Sequence, residues 1–163
     1  MQSESIFNFN RIISNLDSDH QKKLLWALHN KNKNLAWSEI VKNKMATTAR
    51  GIYKPEKWIY ALSAKTVIDG PYDDGDVFVQ PSSTEWMAIY KPDSDPSSYT
   101  NKAMRKCQKD KIPLIYLKQT SKKPNTSYRV IGPCLCCHEK KSNSYFLFGF
   151  SDDGFLSNHL FKT

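Results

Sequence analysis

No stretch of this 163-residue chain approaches the roughly 18 consecutive apolar residues that a membrane-spanning helix requires. Its opening, Met1-Gln2-Ser3-Glu4, has neither the basic start nor the apolar run of a secretory signal. Those absences predict a soluble, cytoplasmic protein with no membrane partner. A second cysteine pair is also missing. Cys134, Cys136 and Cys137 stand with His138 in one tight cluster, and Cys107 is alone. A structural zinc site needs two ligand pairs separated by a loop. The cluster also falls where period-2 alternation predicts a strand, which turns Cys134 and Cys136 to one face and Cys137 to the other. Reduced, packed thiols are therefore expected, with no metal and no cofactor.

Nuclease motifs are missing as well. His20, His29, His138 and His159 lack the paired metal and base histidines of an HNH site. Glu139-Lys140-Lys141 contains an E-x-K fragment, but it falls in a predicted turn with no preceding aspartate at suitable spacing. Metal-assisted hydrolysis needs carboxylates that converge on an ion, whereas the acids here are concentrated in one segment. The chain is expected to recognise rather than to cut. No internal repeat is visible.

What is present is a foldable, basic chain. Hydrophobic residues make up 39% and aromatics 12% of the sequence, which argues against disorder. A chain of this length buries roughly 68–70% of its unfolded surface, enough for a real core. The net charge of +8 is unevenly spread. Residues 1–66 carry eleven Lys or Arg against five acids, and residues 99–163 carry twelve against four. Between them, residues 67–98 carry one lysine against seven acids. A basic protein with one acidic insert fits a polyanion binder with a specialised loop, and it also fits a solvated basic surface with an acidic turn.

Residues 5–45 read as three short helices. Phe7, Ile12, Ile13 and Leu16 give the first an apolar face, and Asp17 or Ser18 can cap a second helix that carries Leu24, Leu25 and Leu28. After a polar break at 30–34, residues 36–44 suggest the third. From Gly51 the texture changes to strands, with candidates at 59–67 and 85–91, the latter rich in Trp86, Ile89 and Tyr90. Thr100 can cap a helix to about Lys109 with Ala103, Met104 and Cys107 on one face. Residues 113–118 form a further strand, 122–126 a basic turn, and 127–137 with 144–150 a hairpin. This pattern predicts an α+β fold, a small curved β-barrel with flanking helices. Residues 1–46 would form an N-terminal helical segment and 47–163 the binding domain.

The order of short phrases is more specific. Ala49-Arg50-Gly51-Ile52 leads into Tyr53-Lys54-Pro55. Tyr60-Ala61-Leu62-Ser63 follows, and then the loop Gly70-Pro71-Tyr72-Asp73-Asp74-Gly75-Asp76. Thr100-Asn101-Lys102-Ala103-Met104, Pro113-Leu114-Ile115-Tyr116-Leu117 and Tyr128-Arg129-Val130-Ile131-Gly132 come after it in turn. Taken together this string resembles the SRA (SET and RING associated) domain over about two thirds of the chain. It is most similar to the SRA-like modules that bacteria fuse to HNH nucleases in modification-dependent restriction. The resemblance implies a reader of duplex DNA that flips a modified cytosine, of 5-methyl or 5-hydroxymethyl type, into a pocket. A nuclease domain or subunit is the implied partner.

A base-flipping pocket needs flat faces, hydrogen-bond partners for the Watson–Crick edge, and room at the modified atom. By the resemblance Tyr72 is one stacking face, and Tyr90, or else Trp86, is the opposite wall. Asp74 is the candidate acceptor for the cytosine amine, which a carboxylate can read, with Asp76 in reserve. Lys91-Pro92-Asp93-Ser94-Asp95 stands where relatives carry a glycine-rich stretch. Phosphate anchors are expected among Arg50, Lys54 and Lys57 and among Lys118, Lys122 and Lys123. Two other readings stay open: a PUA-like module that grips RNA, and a divergent modification-dependent nuclease or a fragment of one.

Overall fold

The computed structural model describes residues 6–48, 50–68, 77–92 and 95–157. Its elements in chain order begin with β1 (Ile6–Asn8), α1 (Phe9–Ile13), α2 (Ser18–His29), β2 (Asn34–Ala36) and α3 (Trp37–Lys42). Then come β3 (Ile52–Tyr53), β4 (Ser63–Thr66), β5 (Val77–Val79), β6 (Trp86–Tyr90) and α4 (Tyr99–Asp110). The chain closes with β7 (Leu114–Ser121), β8 (Ser127–Glu139), β9 (Ser144–Gly149) and β10 (Phe155–Ser157). The fold is mixed α+β and dominated by its sheet.

That sheet runs in the order β3-β4-β7-β8-β9-β6-β5, and β2 pairs with β8 off this path. β4 and β7 are parallel, so the chain must cross over between them, and α4 lies on that route. Elsewhere the pairing is antiparallel, including the predicted hairpin of β8 with β9. Alternation along β6 shows why the sheet has two coherent faces. Trp86, Ala88 and Tyr90 are buried on one side, while Met87 and Ile89 emerge on the other.

Each face has its own core. On one, Ile52, Ala64, Trp86, Tyr90, Tyr116, Cys134, Cys136 and Tyr145 pack beneath Ala103, Met104 and Cys107 of α4. On the other, Phe9, Ile13, Leu24, Ala27 and Ile40 of the N-terminal helices cover Leu62, Ile115, Leu117, Val130 and Leu135. The N-terminal segment is further tied in by the β1–β10 ribbon and by β2 on β8. Asp17 caps α2 as expected, its carboxylate accepting from His20 N at 2.9 Å. The cap of α4 is instead Ser98, which accepts from Asn101 N at 3.2 Å and starts the helix one residue before Thr100.

The expected barrel is corrected to an open sheet. Among the described residues the end strands β3 and β5 do not pair, and with two and three residues they offer little ladder to share. The curl is held by side chains instead. Tyr90 of β6 reaches across to β3, where a Cβ on Gly51 would lie 2.5 Å from the tyrosine hydroxyl. The glycine thus permits this close approach. The thiols meet the alternation argument: Cys134 and Cys136 are buried on the α4 side, and Cys137 packs half-buried on the opposite face. Burial pushes Cys107 up to about 12 and holds Cys134 and Cys136 well above the usual thiol range, so none is a ready nucleophile.

Candidate nucleic-acid interface

The strands place the acidic loop before any side chain is considered. β4 ends with Thr66 beside Lys118 of β7, and the chain is held just beyond it by Ile68 N donating to Gln119 Oε1 at 2.8 Å. It re-enters the sheet at Val77, opposite Ala88 of β6. Because β5 and β6 are antiparallel, the connection reaches β5 from the Tyr90 end of β6. Tyr72, Asp74 and Asp76 belong to that connection and lie outside the described residues.

At the described rim, Tyr90 is 4% exposed and packs edge-on against Tyr116 with centroids 6.3 Å apart. The Tyr116 hydroxyl shares a buried 2.8 Å hydrogen bond with Thr66 Oγ1. Tyr90, Tyr116, Thr66 and Gly51 thus meet where the loop departs. Neither Thr66 nor Tyr116 stood out in the sequence, since a strand residue opposite a distant tyrosine has no local signature.

Trp86 sits at the other end of β6, about 13 Å away at strand rise. It is 2% exposed and lies on Gly149, its partner across the β6–β9 ladder. An added Cβ on Gly149 would fall 1.8 Å from the indole, and one on Gly132 3.4 Å from its nitrogen. The indole also stacks on Tyr116 at 6.0 Å, and its N–H has no hydrogen-bond partner among the described residues. Its environment is that of a core aromatic laid over glycines.

The cations fall into two groups. In the first, the Arg50 guanidinium lies 4.8 Å and the Lys54 ammonium 6.0 Å from the centroid of the Tyr99 ring. Lys54 Nζ also donates to the Trp58 carbonyl at 2.7 Å. Arg50 directly precedes Gly51, so this group adjoins the Tyr90 contact. Lys65 extends it: its ammonium donates to the Arg50 carbonyl at 2.7 Å and sits 5.8 Å from the Trp37 ring. Burial pulls the Lys65 pKa below the ordinary lysine value. Lys57 is exposed with φ 72° in the turn before Trp58.

In the second group Lys118 is half-buried beside Thr66, and Lys122 and Lys123 are exposed on the β7–β8 turn. Sequence reading missed Tyr99, Lys65 and Trp37. Tyr99, exposed and directly after the cap of α4, was the one that could have been noticed. Among the described residues no three His, Cys, Asp or Glu side chains group as metal ligands, and no helix is long and apolar enough to cross a membrane.

No protein-family model matches the chain, and no curated protein does. Among solved structures it is similar to the SUVH5 SRA domain in complex with fully methylated CG DNA. Identity there is 16%, the match covers 76% of this chain and 83% of that one, and the TM-score is 0.42. It is also similar to the SUVH5 SRA–hemimethylated CG DNA complex, at 18% identity, the same coverage and a TM-score of 0.42. A third similarity is to Arabidopsis thaliana SUVH6 in complex with SAM, at 16% identity and a TM-score of 0.43 over 78% of this chain. The chain spans about a quarter of the length of SUVH6.

Proposed function

We propose that the protein is an SRA-like reader of modified cytosine in duplex DNA, serving as the specificity module of a modification-dependent restriction or defence system. One observation carries the reading. The phrases that resemble the family follow one another in order along the chain. They fall on β3, the approach to β4, the β4–β5 connection, α4, β7 and β8 in turn. In this reading Tyr72 and Tyr90 enclose the flipped base, and Asp74, or Asp76 in reserve, accepts from its amine. Arg50, Lys54 and Lys57 hold the phosphates beside the pocket, with Lys118, Lys122 and Lys123 as the second group of anchors. Trp86 contributes by supporting the strand that carries Tyr90. A nuclease domain or subunit would supply cleavage.

The test is binding to duplexes that differ only in one cytosine: unmodified, 5-methyl, 5-hydroxymethyl and glucosylated. Preference for one modified form is expected, together with a rise in 2-aminopurine fluorescence beside the target base. Equal affinity for all four duplexes with no fluorescence change refutes the reading.

A further inference from the structure

We propose that a second concavity, between the start of α3 and the β7–β8 turn, takes an unpaired nucleotide, its base stacked on Trp37 and its phosphate paired with Lys123. The space is about 970 Å³, broadly open to solvent, and lined by residues 36–38 and 123–127. That is the size of a small-molecule site, and of its lining only Lys123 also stands among the phosphate anchors proposed above. Its one aromatic wall is Trp37, half-buried and steadied by Tyr128, whose ring centroid lies 5.1 Å away at 43°. The two walls are tied together by the Trp37 backbone N–H, which donates to the Thr126 carbonyl at 2.9 Å.

The charges around the ring select the occupant. Lys123 lines the cleft from the facing turn, while Lys65, buried and held by the Arg50 carbonyl with its Nζ 5.8 Å from the Trp37 centroid, is not part of the lining. No carboxylate belongs to the cleft lining among the described residues. A cationic ligand such as a methylated ammonium would meet the Lys123 ammonium and no carboxylate in the lining. An aromatic face, an adjacent cation, and the hydroxyl and carboxamide of Ser38 and Asn125 together suit a planar base that carries a phosphate. Aromatic stacking of this kind accepts any base, because each has a π face.

The experiment is fluorescence anisotropy of labelled hexathymidylate and hexauridylate with wild type, Trp37→Phe, Trp37→Ala and Lys123→Ala. Trp37→Ala should weaken both hexamers roughly 5- to 150-fold while Trp37→Phe keeps most of the affinity. Lys123→Ala should reduce the log–log salt slope by about 0.7. A stronger effect on the uridylate arm identifies RNA as the strand, and a stronger effect on the thymidylate arm identifies DNA. Each supports the subsite. Trp37→Ala within twofold of wild type overturns it, as does equal loss in Trp37→Phe. So does displacement of the hexamers by a polyglutamate peptide at equal charge concentration. Discrimination among modified duplexes is read separately: its absence in wild type sinks the cytosine-reader proposal and leaves this one standing.

Discussion

Gly149→Ala should destabilise the protein through a single collision. The new methyl carbon would lie 1.8 Å from Trp86 Cε2 and 2.0 Å from Nε1, where carbon contacts settle at about 3.5–4.0 Å. The indole, 2% exposed and stacked on Tyr116, has to shift by about 2 Å inside a close-packed core. Overpacking of that kind costs about 1–3 kcal/mol. Replacing a strand glycine recovers about 0.5–1 kcal/mol of backbone entropy, so a net loss of about 1–2 kcal/mol is expected. With a urea m-value of about 1–3 kcal/mol/M, the unfolding midpoint falls by roughly 1 M. Trp86→Phe should relieve the collision, because the smaller ring withdraws from Gly149 and also removes the unpartnered N–H. The double mutant should therefore show a coupling of about 0.5–3 kcal/mol. Equal cost of Gly149→Ala in both backgrounds, or a raised midpoint, refutes the packing argument. Preference for modified duplexes should survive Trp86→Phe, since this ring serves the core.

Asp74→Ala should cost about 1–3 kcal/mol of discrimination between a target cytosine and a thymine in its place, read in a competition titration. Lys54→Ala should instead weaken binding to every duplex alike and reduce the salt slope by about 0.9. Asp17→Ala removes the side-chain cap from His20 N and should cost about 0.5–2 kcal/mol, read as a lowered melting temperature. His20 is 3% exposed against Trp58, and burial depresses its pKa from 6.5 despite the nearby Asp17 and Asp19. Protonation therefore favours the unfolded chain: stability is complete above about pH 6.5 and declines as pH falls towards the folded-state pKa. His20→Phe should flatten the melting temperature between pH 7 and pH 5; an unchanged slope assigns the titration elsewhere.

The parts of the fold legible in sequence were those with a local period or a local cap. The 127–137 strand, its hairpin with 144–150 and the buried face of α4 follow from alternation and helical spacing. Asp17 follows from the chemistry of exposed helix N–H groups. β1, β2 and β5 were not legible, because three residues carry no period and exist as strands only through partners elsewhere in the chain. Closure of the sheet was misread for a related reason: strand count does not tell whether the two end strands are long enough to pair. At the site, the sequence grouped Arg50 with Lys54, and both lie over Tyr99. Alternation did not separate Trp86 from Tyr90, since both fall on one face of one strand, and only the resemblance put Tyr90 first. Their difference lies in what faces them, Gly149 in one case and Gly51 in the other. Lys65 escaped notice because a strand lysine ordinarily faces solvent, while here Trp37 and the Arg50 carbonyl cover it.

An open sheet suits the proposed recognition better than the barrel expected from strand count. A closed barrel would secure β3 to β5 with backbone hydrogen bonds, and admitting a base at that seam would break several of them. Here the curl is held on the described side by packing of Tyr90 against Gly51 and Tyr116. Side-chain contacts can be exchanged for contacts with a ligand ring without leaving backbone groups unpaired. The cations stand on the β3 side of that seam: Arg50 and Lys54 beside β3, and Lys118 of β7 beside Thr66 at the end of β4. Phosphates held there would bring a nucleotide to the one part of the sheet where aromatic packing, and not a hydrogen-bond ladder, is what has to yield.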